Sequence, residues 1–155
     1  MLLTFFKDMN KLCLLISLTF LSACSLADKD VAVKNASEQW ADAYFNYNLD
    51  EANELTCDES RKWISFAASN VTTQDFEMLG ERQERAAVVA EECHFGADTV
   101  AYVYLTVTNF LEPDTIGGAG KWTEEGKFMI ELRKRSAGWQ VRMEGLPQNG
   151  MQSRD

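Results

Sequence analysis

Residues Thr99–Phe110 read TVAYVYLTVTNF, the most regular pattern in this 155-residue chain. The stretch is dense in β-branched and aromatic residues, which is typical of a strand. Successive side chains of a strand point to opposite faces of the sheet, so the stretch has two sides. One predicted face carries Val100, Tyr102, Tyr104, Thr106 and Thr108. The other predicted face carries Ala101, Val103, Leu105, Val107 and Phe110.

Three further strands are predicted around this one. Ala86–Phe95 precedes it and has the composition of a strand. Glu112–Gly120 contains a proline and three glycines and therefore predicts a loop. Lys121–Arg135 and Trp139–Met143 follow as two strands with a short turn between them. The C-terminal half thus predicts an antiparallel sheet of about four strands.

The N-terminal half has the period of helices. Apolar residues of Val31–Tyr47 recur at steps of three and four, which predicts an amphipathic helix. Shorter helices are predicted to begin near Leu49, Asp58 and Thr73. Because the helices precede the strands, the fold class is α+β, with N-terminal helices packed on a curled antiparallel sheet.

Three segments, in this order, resemble the nuclear transport factor 2-like superfamily, whose fold is the cystatin-like α+β roll. They are the aromatic helix at Trp40–Phe45 with the acidic turn Asn48–Ala52, the long strand at Thr99–Phe110, and the hairpin at Arg135–Val141. The chain is most similar to small bacterial lipoproteins of this superfamily that carry no assigned activity. The resemblance implies an α+β roll with a cone between helix and sheet.

Enzymes of the superfamily, such as ketosteroid isomerases, use a carboxylate base in that cone, and a phenol or carboxylic acid that donates to an oxyanion. This sequence matches none of their catalytic motifs, so no catalytic residue is predicted. The candidate pocket residues are Trp40, Tyr44, Tyr47, Tyr102 and Tyr104. At this spacing the same aromatic residues also suit core or rim packing.

Three functions remain open from the sequence. The first is a non-catalytic domain that binds a small molecule or a protein partner. The second is an isomerase- or cyclase-like enzyme with a tyrosine and a carboxylate in the cone. The third is a structural subunit of an envelope complex. The formal net charge of −9 excludes nucleic acid as a favoured partner, because phosphate backbones repel an acidic surface.

The N-terminus predicts export. Lys7 and Lys11 precede the apolar run Leu12–Leu21, which is too short to span a bilayer but matches the core of a signal peptide. Leu21-Ser22-Ala23-Cys24 resembles the lipobox of bacterial lipoproteins. We therefore predict a signal peptide over residues 1–23, translated from Met1 or Met9, and lipid attachment at Cys24.

The predicted lipidation of Cys24 determines the predicted cellular location of the protein and its attachment to a membrane. Residues 24–30 form a polar tether, and the acyl chains, among them palmitate, bind the lipid bilayer. The resemblance to lipoproteins implies that Ser25, where enterobacterial inner-membrane lipoproteins carry Asp, directs the chain to the outer membrane, facing the periplasm. The roll domain is predicted over residues 31–146 and a disordered tail over residues 147–155.

Two cysteines remain in the predicted domain. In an oxidising periplasm an isolated pair tends to be bridged, so we predict a disulfide between Cys57 and Cys93. The alternative is that both are small core residues with free thiols. His94 follows Cys93, but the sequence lacks the ligand-pair spacing of a zinc site. No metal and no cofactor are predicted.

Overall fold

The computed structural model describes residues 27–114 and 117–150. The predicted signal peptide, the attachment site Cys24 and residues 151–155 lie outside the described residues. Among the described residues, 27–32 belong to a first unit and those from Val33 onward to a second, compact unit. Within the first unit, the described residues 27–32 are helical, so this helix begins before the predicted Val31. In the part of the chain that is described, we find no helix with the length and apolar character that a membrane span requires.

Four α-helices form the N-terminal half of the described chain. Helix α1 covers residues 27–45 and is followed by α2, Leu49–Glu54. A single 3₁₀ turn, Asp58–Ser60, leads into α3, Arg61–Asn70. Helix α4, Thr73–Glu81, begins with a capping box, in which the side chains of Thr72 and Asp75 accept each other's backbone N–H.

Four antiparallel strands follow in the order β1-β2-β3-β4. They are β1, Ala87–Ala97; β2, Val100–Glu112; β3, Lys121–Arg135; and β4, Gly138–Arg142. The α+β class and the four-stranded sheet predicted from the sequence are confirmed. The buried face of β2 carries Ala101, Val103, Leu105 and Val107, as its alternation predicts. The alternation ends at Asn109, whose left-handed φ of 54° is followed by two buried residues, Phe110 and Leu111.

The core lies between α1 and the inner face of the sheet. Phe45 of α1 packs its ring 4.7 Å from that of Phe128 on β3 and 5.3 Å from that of Phe110 on β2. Trp40 is completely buried, and its indole N–H donates to Thr56 Oγ1 at 2.8 Å. Burial of a polar indole requires such a partner, so the helical layer is fixed at this point.

The segment after α2 also attaches the helices to β4. The backbone N–H of Cys57 donates to the Val141 carbonyl, and Val141 N–H donates to the Leu55 carbonyl, both at 2.9 Å. Ser60 Oγ donates to the Met143 carbonyl at 3.0 Å and accepts the N–H of Met143 at 2.9 Å. These contacts join residues far apart in sequence and hold the helical layer on the fourth strand.

The structure corrects the predicted disulfide: Cys57 and Cys93 are both free thiols. Cys57 lies beside β4, where its thiol contacts the Gln140 carbonyl oxygen at 3.7 Å. Cys93 lies in β1, opposite Val103 of β2. The sheet order places β2 and β3 between the two cysteine-bearing positions, a separation that sequence distance does not show.

Residues 147–150 also differ from the disordered tail expected there. Asn149 Oδ1 accepts the backbone N–H of Lys127 at 3.1 Å, and Gly150 N–H donates to the Lys127 carbonyl at 2.8 Å. The chain after β4 therefore returns to the edge of β3. The reason is that β4 pairs with Glu131–Arg135 and leaves the earlier part of β3 available for this contact.

Candidate functional site

A cavity of about 720 Å³ opens between the helices and the inner face of the sheet. Its walls are the end of α1, the start of α2, the end of α3, the inner residues of β2 and β3, and residues 146–150. Most of the lining side chains are aromatic or aliphatic, among them Phe45, Leu49, Val71, Phe110 and Phe128. The site is therefore a mainly apolar pocket with a small number of polar groups.

Tyr44 places one of these polar groups on the cavity wall. Its ring stacks on Trp40 with centroids 4.9 Å apart, which fixes the orientation of the phenol. The hydroxyl has no hydrogen-bond partner among the described residues, and it is not sealed from solvent. Burial of the ring raises the pKa of the Tyr44 phenol well above its ordinary value. Tyr44 thus offers a neutral hydroxyl that is free to bond to a ligand.

Tyr47 lies one turn further along the chain, immediately after α1. It has a left-handed φ of 64°, a conformation that favours glycine. The N–H of Tyr47 donates to the Tyr44 carbonyl, and Asn48 N–H donates to the Ala43 carbonyl, which is the Schellman arrangement of a helix end. A non-glycine residue tolerates this position when its side chain is held elsewhere. The Tyr47 hydroxyl is held by donating to the Leu111 carbonyl at 2.9 Å.

The Tyr47 phenol is also kept neutral. Burial is the main cause of its raised pKa, and the negative charges of Asp75 and Glu112 and the neighbouring Tyr44 raise it further. Neither phenol is hydrogen-bonded to a carboxylate in the described part of the chain. The tyrosine–carboxylate pair required by the enzyme hypothesis is therefore not formed at Tyr44 or Tyr47.

The carboxylates near the cavity have other partners. Glu112 is the one carboxylate among the described lining residues, and it accepts from Thr123 Oγ1 at 3.3 Å and lies 3.9 Å from Lys121 Nζ. Asp75 is buried, and both of its oxygens accept hydrogen bonds, from Thr72 and from the N–H of Gly120. Asp75 is therefore a structural carboxylate.

The structure divides the five predicted pocket residues between two cavities: Tyr44 and Tyr47 line this one, and Trp40, Tyr102 and Tyr104 line a second. Trp40 lies behind Tyr44 as a core residue. Tyr102 and Tyr104 lie on the outer face of β2, because they alternate with the buried residues Ala101, Val103 and Leu105. The predicted pocket residues therefore all line cavities, but they do not share one.

Several lining residues were not predicted from the sequence. Val71 and Pro113 lie in loops, Leu146 is the last residue of the predicted roll domain, and Pro147 lies in the segment expected to be disordered. The apolar dipeptide Leu146-Pro147 was a signal for burial in an otherwise polar tail. Loop residues such as Val71 carry no periodic pattern, so their position depends on the tertiary structure.

No group of three or more potential metal ligands occurs within residues 27–114 and 117–150. His94 is exposed on β1, where its Nε2 lies 3.3 Å from Glu92 Oε2 and its ring packs edge-on against Tyr104. The histidine is therefore on the outer face of the sheet, away from the cavity.

Solved structures similar to this chain include two bacterial proteins. A ketosteroid isomerase-like protein from Erwinia carotovora atroseptica is 15% identical, with 72% of this chain and 90% of that chain covered and a TM-score of 0.48. A proposed aromatic ring hydroxylase from Novosphingobium aromaticivorans is 11% identical, with 78% and 92% covered and a TM-score of 0.44. No protein-family model and no curated protein sequence matches the chain. At these identities the similarities say nothing about activity.

Proposed function

We propose that this chain is a lipid-anchored envelope protein whose α+β domain binds a small, mainly apolar molecule without transforming it. The observation that carries the binding function is the cavity beside Tyr44 and Tyr47. The ligand carries at least one hydrogen-bond acceptor, such as a carbonyl or ether oxygen, which faces the Tyr44 hydroxyl.

The size and lining of the cavity support this ligand class. Small-molecule sites typically have volumes of about 300–1,000 Å³ and mostly apolar walls with a few placed polar groups. The cavity of about 720 Å³ falls within this range. Burial of an apolar ligand against Phe45, Phe110 and Phe128 supplies the free energy of binding, while the Tyr44 hydroxyl selects for an acceptor.

The chemistry of the polar groups favours binding over catalysis. Both phenols are held neutral, so they donate hydrogen bonds and suit a ligand acceptor and an oxyanion equally; the distinction therefore depends on whether a carboxylate base is available. Asp75 is saturated with donors. An enzyme of the isomerase or cyclase type would need Glu112 as its base, and Glu112 already contacts Thr123 and Lys121.

The binding proposal is tested by filling the cavity. Ala67 is buried on the cavity wall, so Ala67→Trp should occupy the space and abolish binding of the neutral fluorescent probe Nile red. Ala137→Trp, at an exposed position in the turn before β4, is the matched control and should bind as wild type. Equal binding by both variants would place the probe elsewhere and refute the proposed site.

The hydrogen bond to the ligand has its own test. Tyr44→Phe removes the hydroxyl and keeps the ring, so affinity for Nile red, which has a carbonyl acceptor, should fall by about two- to tenfold. Tyr102→Phe makes the same change on the outer face and should have no effect. A Tyr44→Phe variant with unchanged affinity would show that the hydroxyl does not contact the probe.

The lipid anchor is proposed from the sequence Leu21-Ser22-Ala23-Cys24. Cys24→Ala should yield an unprocessed chain that incorporates no fatty-acid analogue during metabolic labelling. Cys13→Ala changes a cysteine inside the predicted signal peptide and should leave labelling intact. Equal labelling of the Cys24→Ala variant and the wild type would end the lipoprotein proposal.

A further inference from the structure

We infer that residues 144–150, here named the C-terminal strap, form a movable wall of the cavity, and that ligand enters when the strap leaves the edge of β3. The inference rests on the proposed binding function and adds its route of entry. The strap contributes Leu146, Pro147, Gln148, Asn149 and Gly150 to the lining. It is therefore part of the site, although it belongs to neither the helical layer nor the sheet.

The two ends of the strap are held in different ways. Met143, which precedes it, is buried and exchanges two backbone hydrogen bonds with the Ser60 hydroxyl. At the other end, Asn149 Oδ1 and Gly150 N–H bond to the two backbone groups of Lys127. None of residues 144–150 is fully buried. The Met143 end is thus a fixed hinge, and the Lys127 end is a latch on the surface.

The strap borders two cavities. The second cavity, of about 670 Å³, is lined by Leu146, Pro147, Gln148 and Gly150, the same residues that line the first. Residues 144–150 are exposed or half-buried, so the strap buries less surface than the core elements do. Segments with few buried contacts open at low free energy compared with the rest of a domain. The second cavity also provides the room into which the strap moves.

The Asn149 amide packs closely against β3 at Gly126 and Lys127. Gly126 precedes Lys127, and a Cβ atom at Gly126 would lie 2.9 Å from Asn149 Nδ2. Such a contact is closer than a real Cβ atom allows, and the same Cβ would lie 2.9 Å from ring atoms of Phe110 and Phe128. Glycine at position 126 therefore makes room for these two core rings as well as for the Asn149 amide. The closed position is therefore specific, and a single hydrogen bond at Lys127 N–H reports on it.

Hydrogen exchange tests the movement without any ligand. The full 155-residue chain carrying Cys24→Ala serves as the reference, so that no acyl chain is attached. Adding Asn149→Ala should accelerate exchange of the Lys127 amide by about two- to tenfold, because one hydrogen bond of the closed state is lost. Asn35→Ala, at an exposed position on α1, is the matched control and should leave it unchanged. Unchanged protection of Lys127 in Asn149→Ala would overturn the inference.

Stopped-flow binding of Nile red tests the route of entry. If the strap must open first, the association rate should saturate with probe concentration, and Asn149→Ala should raise the saturating rate by about two- to tenfold. Gly145→Ala should lower it, because a Cβ at Gly145 meets nothing within 4 Å and stiffens the strap. Rates that rise linearly with concentration and are equal in all variants would show that the cavity is already open.

The hydrogen-exchange and stopped-flow experiments distinguish a failure of this inference from a failure of the proposed binding function. If Nile red binds to none of the variants but Lys127 exchange accelerates in Asn149→Ala, the binding function fails and the movement of the strap stands. If Lys127 exchange accelerates but the entry rates do not change, the strap moves without controlling entry, and the inference is wrong.

Discussion

Asp75 Oδ1 accepts the backbone N–H of Gly120 at 2.7 Å and thereby joins the first turn of α4 to the residue before β3. The other oxygen, Oδ2, accepts the N–H of Thr72 at 2.7 Å and its hydroxyl at 2.8 Å. One buried carboxylate therefore caps a helix and positions the loop that enters the third strand. The loop borders the cavity through Glu112 and Pro113, so this contact also supports the site.

Asp75→Asn should destabilise the domain by about 1–3 kcal/mol at neutral pH, since a charged acceptor of three hydrogen bonds is lost. Burial alone would raise the pKa of the Asp75 carboxyl, but the bonds from Thr72 and Gly120 outweigh it and leave the pKa below its usual value. Because the folded-state pKa is lowered, the stabilisation is present above the unfolded-state pKa of about 3.9 and is lost as pH falls through the folded-state pKa.

Urea unfolding across the acidic range measures this effect. The difference between wild type and Asp75→Asn should shrink as pH falls below about 4. Asp50→Asn, at an exposed position in the first turn of α2, is the control and should change stability by at most about 0.5 kcal/mol. If the wild type and Asp75→Asn had the same free energy of unfolding at neutral pH, the prediction would be wrong.

Tyr44→Phe and Tyr47→Phe should have different effects on stability. Tyr47→Phe removes the hydrogen bond to the Leu111 carbonyl and should lower the free energy of unfolding by about 0.5–1.5 kcal/mol. Tyr44→Phe removes a hydroxyl with no partner among the described residues and should change stability by less than about 0.5 kcal/mol. Denaturant unfolding decides this, and equal losses would be inconsistent with the distinct contacts of the two phenols.

Spectrophotometric titration should show that Tyr44 and Tyr47 ionise at high pH. The pKa values of Tyr44 and Tyr47 are raised, chiefly by burial, so both should ionise above the ordinary value of about 10. Stability that depends on these neutral phenols is fully present below the unfolded-state pKa and is lost as pH rises above it. The double variant Tyr44→Phe/Tyr47→Phe should lose absorbance change at high pH relative to the wild type, and a loss confined to pH values below about 10 would contradict the prediction.

Thiol titration should find two free thiols, from Cys57 and Cys93, in the unfolded, non-reduced chain carrying Cys13→Ala and Cys24→Ala. In the folded protein Cys93, which is partly exposed, should react first. Cys57 is completely buried, and burial is the main cause that raises the pKa of its thiol, so it should react slowly. If the unfolded chain had no reactive thiol, the disulfide predicted from the sequence would be present after all.

The sequence by itself determined the fold class and the faces of its main strand. The alternation of Thr99–Phe110 placed Val103 and Leu105 inside and Tyr102 and Tyr104 outside, since side-chain direction in a strand is a local property. The steps of three and four in α1 likewise predicted its buried stripe, including Trp40. Local geometry is encoded in local sequence, so these features needed no tertiary information.

Only the tertiary structure decided which residues share the site. Tyr47 reaches Leu111, 64 positions away, and the strap residue Gly150 reaches Lys127 across the edge of β3. Cys57 and Cys93 are kept apart because the sheet order inserts two strands between them. Contacts of this kind depend on strand order and on where β4 ends, and these are set by packing of the whole domain rather than by any short pattern of residues.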